Sequence, residues 1–400
     1  MFPGIKDHRD VESPSNGDLH TVTTVQKPLD VRPGLVRSTS VQDFQQITGR
    51  EEQWRFTPLR RLGGLHDGTF TPGGQITREL RAPAGVTGET VPGDDPRVGC
   101  VLTPFDRVSA QAWESAPETY VLSVPSGAEL SEPVRLTVTG QGGRDAAAFG
   151  HTVIDIGRGA EASVVLDHRG TVSYADNVEV SIGDNAGLML VSIQDWDGDA
   201  VHVSHQKIRL GRDARLRHIV VTLGGSLVRM SNTVEYADRG GDAELLGLYF
   251  ADSGQHQEHR LVVEHTVPDC RSRVEYRGAL QGEDAHAVWV GDVIIRAGAT
   301  GTDTYELNRN LVLTDGARAD SIPNLEIETG EVVGAGHASA TGRFDDEQLF
   351  YLQSRGIPEH EARRLVVRGF FASLLARIGD ESVSGPLMDA IEVRLTKGAS

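Results

Sequence analysis

The sequence predicts an all-β core wound as a parallel solenoid and followed by helices, and three observations carry that expectation. A turn of form G-x-x-A recurs at Gly157/Ala160, Gly183/Ala186, Gly211/Ala214 and Gly240/Ala243, at intervals of 26, 28 and 29 residues. Alternating apolar residues precede the turns, as at Val178/Val180/Ile182, Ile208/Leu210 and Val234/Tyr236, and side chains two apart share one face of a strand. Helical periodicity is missing from residues 134–281. A unit of under ~50 residues with two strands and no helix cannot close a core of its own, so successive units must stack. Glycine is expected at each corner for the backbone angles it alone adopts freely, and the following Ala for close stacking. The same loops could join strands of an antiparallel sandwich, but even spacing favours the solenoid.

Along the chain, residues 1–30 are polar and aperiodic and are expected to form a flexible arm. Residues 31–118 are of mixed α/β character, with a short helix expected near Val41 and Ile47 and many Pro and Gly breaks. The β-helix core is expected over 119–342. Residues 343–400 then turn helical. Asp345 or Asp346 can cap a helix running to Ser354, Gly356 can end it, and Pro358 fits the first turn of the next. In that next helix Ala362, Leu365, Val366, Gly369, Phe370 and Ser373 or Leu374 form an apolar face, suited to capping the solenoid or docking a partner.

Composition narrows function before any motif is read. The chain has 400 residues, enough for a sizeable core, and 57 acidic against 39 basic residues give a net charge of −18. Such a field repels nucleic acid and anionic membranes. No apolar run approaches the ~18 residues that span a bilayer, and the N-terminus lacks an apolar signal core, so a cytoplasmic protein is expected. Only Cys100 and Cys270 are present, far apart, which argues against a disulfide framework.

Several apparent sites fail on spacing. His202/His205 and His256/His259 lie three apart, on opposite faces of a strand. Asp195, Asp197 and Asp199 begin like a calcium loop, but the sixth position is Ala200 and the twelfth Gln206, so a solvated acidic turn is expected. No phosphate-cradling G-x-x-x-x-G-K-[ST], G-x-S-x-G or H-E-x-x-H occurs, so ATP hydrolysis would belong to a partner. Cys270 is expected to be a small buried residue, and Arg229, Trp289 and Arg355 to be structural. Two distant thiols cannot hold an iron–sulfur cluster, which takes about four ligands.

The C-terminal motifs point further. N-R-N-L at 308–311, P-N-L-E-I at 323–327 and F-Y-L-Q-S-R-G-I at 350–357 together resemble the signature of the SufB/SufD family, which helps build iron–sulfur clusters. Looser likeness at Ala299, Thr302/Asp303 and residues 120–125 extends the resemblance over about residues 120–371. The resemblance implies a right-handed parallel β-helix with helical ends and a C-terminal helical region that binds the SufC ATPase. Where the family carries Cys-Ser-His-Gly-Ala-Thr, this chain has Ala335, Gly336, His337, Ala338, Ser339 and Ala340. The His stays and the Cys is gone, which favours the SufD type. A lone His is most often structural; the resemblance is what singles out His337, which can ligate through a neutral nitrogen or shuttle a proton.

The expectation is therefore a non-catalytic SufD-like scaffold, pairing with a SufB-like paralogue and docking a SufC-like ABC-type ATPase through Leu349, Phe350, Leu352, Arg355, Leu365 and Phe370. His337 would stand at the cluster-assembly interface as a metal ligand shared with the partner. The iron–sulfur cluster would be transient, and no cofactor would be held by this chain alone. The competing readings are a β-helix polysaccharide lyase or hydrolase, against which the missing export signal and failed calcium loop count, and a homodimeric β-helix adaptor without cluster chemistry.

Overall fold

A computed structural model describes residues 36–344 and 346–397, so the expected arm lies outside the described residues. Strands β1 (Gln75–Arg81) and β2 (Thr87–Val91) come first and pair antiparallel with β4 and β3 of the solenoid. The solenoid has about eight turns and two parallel faces. One face stacks β3 (Thr119–Val124), the second halves of β4 (Val134–Ile156) and β5 (Glu161–Ile182), then β7 (Val201–Leu210), β9 (Leu227–Tyr236), β11 (His256–His265), β13 (His286–Ile295) and β15 (Arg318–Ile327). The other stacks the first halves of β4 and β5, then β6 (Gly187–Gln194), β8 (Arg215–Thr222), β10 (Asp242–Ala251), β12 (Arg271–Leu280), β14 (Thr302–Val312) and β16 (Val332–Arg343). Alternate side chains of both faces meet inside. Leu188, Leu190, Leu216, Val220, Leu245, Ile208, Val234 and Val263 belong to one continuous core, and burying each such side chain contributes roughly 1.5–3 kcal/mol.

The corners run as expected at three of the four places, for a different reason than expected. The first glycine of these three turns is not in a left-handed conformation. It is required because a Cβ on Gly157 would lie 2.4 Å from the Ser126 nitrogen, and one on Gly183 2.6 Å from the Arg158 nitrogen, in the corner below. The left-handed position falls two residues later, on Gly159, Asn185, Asp213, Gly240, Asp269 and Gly301 in successive rungs. Asn and Asp tolerate that conformation because their short side chains bond locally. The next position is Ala160, Ala186, Ala214, Gly241 and Cys270, whose carbonyls each accept from the following rung. The fourth corner is thus residues 237–241, and Ala243 already belongs to β10; Gly240 entered the motif as the left-handed residue of its corner. Cys270 is the buried small residue expected, its thiol pushed up to about 11 by burial.

Both outer faces are plated. Residues 36–118 cover the β5–β7–β9–β11 side. Here α1 (Arg107–Ser115), which the sequence did not announce, is capped by Asp106 on the Ser109 nitrogen at 2.8 Å. Near Val41 and Ile47 only a single 3-10 turn forms, Val41–Asp43. Arg229, fully buried, joins plate to sheet: it lies 3.8 Å from the Trp54 ring, donates to the Gln53 carbonyl at 2.9 Å and faces Glu258 at 3.4 Å. Burial alone would raise Glu258, but Arg229, His256 and Arg260 together outweigh it and hold the carboxyl down at about 2.

The opposite side is covered by α2 (Asp346–Ser354), α3 (Glu359–Leu375) and α4 (Glu381–Lys397). Gly356, with φ +83°, ends α2 as expected, whereas Pro358 is the N-cap of α3, not part of its first turn. The buried stripe of α3 is Ala362, Val367, Phe371, Leu374 and Leu375, packed with α4 against Ile219, Val221, Leu246, Leu248 and Phe250. The expected face is therefore rotated: Leu365 and Gly369 are exposed. The doublets Val366/Val367 and Phe370/Phe371 offer two apolar stripes, and packing selects the one that continues to Ile378. The helices lie along the flank of the solenoid. They leave the last rung, β15 and β16, half-buried to exposed. Among the described residues no helix is long and apolar enough to cross a membrane.

Candidate functional site at the last rung

His337 sits in β16, which among the described residues pairs with β14 alone and so presents an open edge. Its register partner is Glu306, and below that the same ladder position is filled by Val274, Leu245, His218 and Leu190. His337 thus occupies an inward-facing position with no further rung to cover it, and its side chain is 42% exposed. Its Nδ1 lies 3.7 Å from Glu306 Oε1. The Glu306 side chain is fully buried and neither carboxylate oxygen has a hydrogen-bond partner. Burial, reinforced by Asp292, pushes its carboxyl up to about 8. Trp289 and Gly291 wall it in: a Cβ on Gly291 would come within 2.5 Å of Oε2 and 2.4 Å of the Trp289 ring. Ala335, where the resemblance would place a Cys, is partly buried against the core and brings no thiolate.

The N-R-N-L motif is structural here. Asn308 donates to the Tyr249 hydroxyl at 3.0 Å, and Asn310 to Asn308 Oδ1 at 2.8 Å and to Thr341 Oγ1 at 3.3 Å, tying the edge strand to the interior. In the neighbouring P-N-L-E-I segment, Asn324 holds Asp292 at 2.9 Å. Glu306 itself was not singled out from the sequence. A lone glutamate in a strand is unremarked until strand register stacks it under His337.

The paired histidines separate as expected. His202 points inward and His205 outward against Phe105 and Ser109; His259 is inward with Thr222, and His256 outward beside His286. Inward-facing His202 nonetheless joins His168 and Asp176, each offering one donor atom within 4.8 Å of the others, a set of metal-ligand type that spacing could not reveal. These groups already satisfy one another and the backbone. His202 meets Asp176 at 3.0 Å and Gln194 at 2.8 Å, and His168 meets the Ile193 carbonyl at 3.1 Å. Burial lowers His168 to about 4, leaving it neutral. The acidic turn is occupied as well: Asp195 pairs with Arg394 of α4, and Asp197 and Asp199 accept from Thr171.

Of the docking candidates, Leu349 is buried, and Leu352 and Phe370 are partly buried in the helix–solenoid contact. Phe350 (71% exposed), Arg355 and Leu365 face outward. Tyr351 joins them, with the Arg355 guanidinium 5.2 Å from its ring.

Residues 137–370 match the family described as SUF system FeS cluster assembly, SufBD core domain. The chain is 58% identical over 367 residues to an iron–sulfur cluster assembly SufBD family protein of Mycobacterium bovis, covering 90% of this chain and 92% of that protein. It is 26% identical over 408 residues to the iron–sulfur cluster assembly protein SufD of Escherichia coli, covering 92% and 95%. A second SufBD family protein of Mycobacterium bovis is 26% identical over 193 residues, 48% of this chain and 23% of that protein.

Proposed function

Because this chain belongs to the SufBD core family of iron–sulfur cluster assembly proteins, we propose that it works as the SufD-like, non-catalytic scaffold of a SufB–SufC–SufD assembly. In this reading β15 and β16 pair edge to edge with a SufB-like paralogue, and His337 lends one nitrogen to a transient cluster whose thiolates come from that partner. The observation that carries it is the position of His337: a half-exposed imidazole on an open strand edge, in a chain whose Cys270 is buried in a corner and whose Ala335 supplies no sulfur. A cluster needs about four ligands, so the remainder must come from across the edge. Two SufBD family proteins similar to this chain in one organism, at 58% and 26% identity, support a pair of unlike subunits. Phe350, Tyr351, Arg355 and Leu365 form the exposed part of the helical plate on which a SufC-like ATPase would dock, so that ATP-driven closure of that partner shifts the shared edge. In isolation the same edge suits a homodimer.

The test is His337→Ala in the co-purified complex. Cluster yield per complex is expected to fall at least ~10-fold, the scale of losing a ligand or its support, with subunit composition on gel filtration unchanged. An unchanged yield would remove the site from the proposal.

A further inference from the structure

We propose that Glu306 is the second donor of this half-site: its carboxylate and the His337 imidazole together bind a first-row divalent cation at the open edge, before any sulfur ligand is added. The inference rests on His337 being the site proposed above.

Three observations on the page converge. First, Glu306 is a buried carboxylate with both oxygens unpartnered. Natural cores contain few such groups, because each forfeits the hydrogen bonds it had in water. Among the described residues no arginine reaches it, although Glu258, Glu264 and Glu275 all have an arginine partner. Second, the 3.7 Å between Glu306 Oε1 and His337 Nδ1 is too long for a hydrogen bond. It is close to the span a shared metal needs, since two bonds of about 2.0–2.2 Å at tetrahedral or octahedral angles set their donor atoms about 3.0–3.5 Å apart. Third, the His337 side chain is 42% exposed on an open strand edge, so a hydrated cation can reach the pair from solvent and keep water on its remaining positions. The walls, Trp289 and Gly291, leave Glu306 little room to turn away.

Oxygen and imidazole donors suit Fe²⁺, Co²⁺ and Zn²⁺. Binding forms one Oε1–metal and one Nδ1–metal bond, releases two waters from the hydrated ion and the carboxyl proton of Glu306 to solvent, and transfers no electrons.

The experiment uses the full-length chain with Co²⁺ as probe, in parallel with the co-purified complex. In the wild type, millimolar Co²⁺ should shift the His337 ring resonances, identified by their loss in His337→Ala, and calorimetry should give one saturable site that disappears in the same variant. Glu306→Gln keeps shape and hydrogen-bonding capacity but not charge, and should weaken that site at least ~10-fold; exchange of the exposed His360 for Gln should leave it unchanged. Thermal unfolding verifies that Glu306→Gln is folded, and exchanging a buried carboxyl without hydrogen-bond partners for an amide of the same shape should not lower its midpoint. Co²⁺ binding in Glu306→Gln within about twofold of wild type, or no perturbation of His337 in the wild type, would overturn the inference. The scaffold reading is judged separately: if His337→Ala depresses cluster yield while Glu306→Gln leaves Co²⁺ binding intact, the scaffold reading stands and this one falls.

Discussion

The middle rungs and the last rung are wound from the same parallel register, yet they use their inward positions differently. Between β5 and β12 an inward residue is stacked from above and below and its face is plated outside, so apolar contacts and internal hydrogen bonds fill nearly every place. At β14 and β16 the same ladder ends on Glu306 and then His337, and among the described residues no rung lies above His337. Rigidity comes from the closed rungs, and the proposed chemistry sits where closure stops. That contrast can be broken at several points.

The largest effect is expected where plate and sheet are joined. Arg229→Ala would empty a fully buried position stacked on Trp54 and leave Glu258 to Arg260 at 3.1 Å and His256 at 3.4 Å, and stability to denaturant should fall by about 3–5 kcal/mol. Limited proteolysis should then cut first in the N-terminal plate. Next comes a packing test inside the closed rungs, where Gly247 and Gly278 each lie under the ring of the other rung's tyrosine. A Cβ on Gly278 would stand 1.9 Å from Tyr249, so Gly278→Ala should cost about 1–3 kcal/mol in a urea titration.

Acid probes the interior at a similar or smaller scale. Burial depresses His218 to about 4, and His259 and His265 to about 3, below the ordinary value of 6.5. The unfolded chain therefore binds more protons than the folded one between these values. Stability is complete above about pH 6.5 and is lost as pH falls toward 4 and 3. His218 has no hydrogen-bond partner on either nitrogen, so His218→Leu should flatten the decline, retaining about 1–2 kcal/mol more than wild type relative to neutral pH when both are measured at pH 5. The smallest effect belongs to the last rung: a Cβ on Gly336 would meet only the Tyr305 ring, at 3.1 Å, and Gly336→Ala should change stability by less than ~0.5 kcal/mol. A cost comparable to Gly278→Ala would show that the edge is packed as tightly as the core.

The solenoid was legible because its rungs repeat: the Gly157, Gly183 and Gly211 corners could be found from spacing alone. The fourth slipped by two residues because Gly240 is a left-handed residue there and Gly241, not an alanine, takes the small-residue place. The N-terminal plate was illegible since α1 and the segment around Trp54 are held by distant partners, Asn177, His205 and Arg229, and not by a period of their own. His337 could be singled out only through its motif. Glu306 and the His168, Asp176 and His202 set required knowing which residues stack, a property of register that single-chain spacing does not encode.

An uncovered β16 also has a cellular consequence. Its outward N–H and C=O groups, with Val333 at 76% exposure beside them, are a template for any extended peptide. In the proposed assembly, synthesis of this polypeptide in excess of the partner that covers the edge would therefore drive it into self-paired or insoluble material, so the dosage of the two chains, and not affinity alone, would decide how much productive machinery a cell obtains.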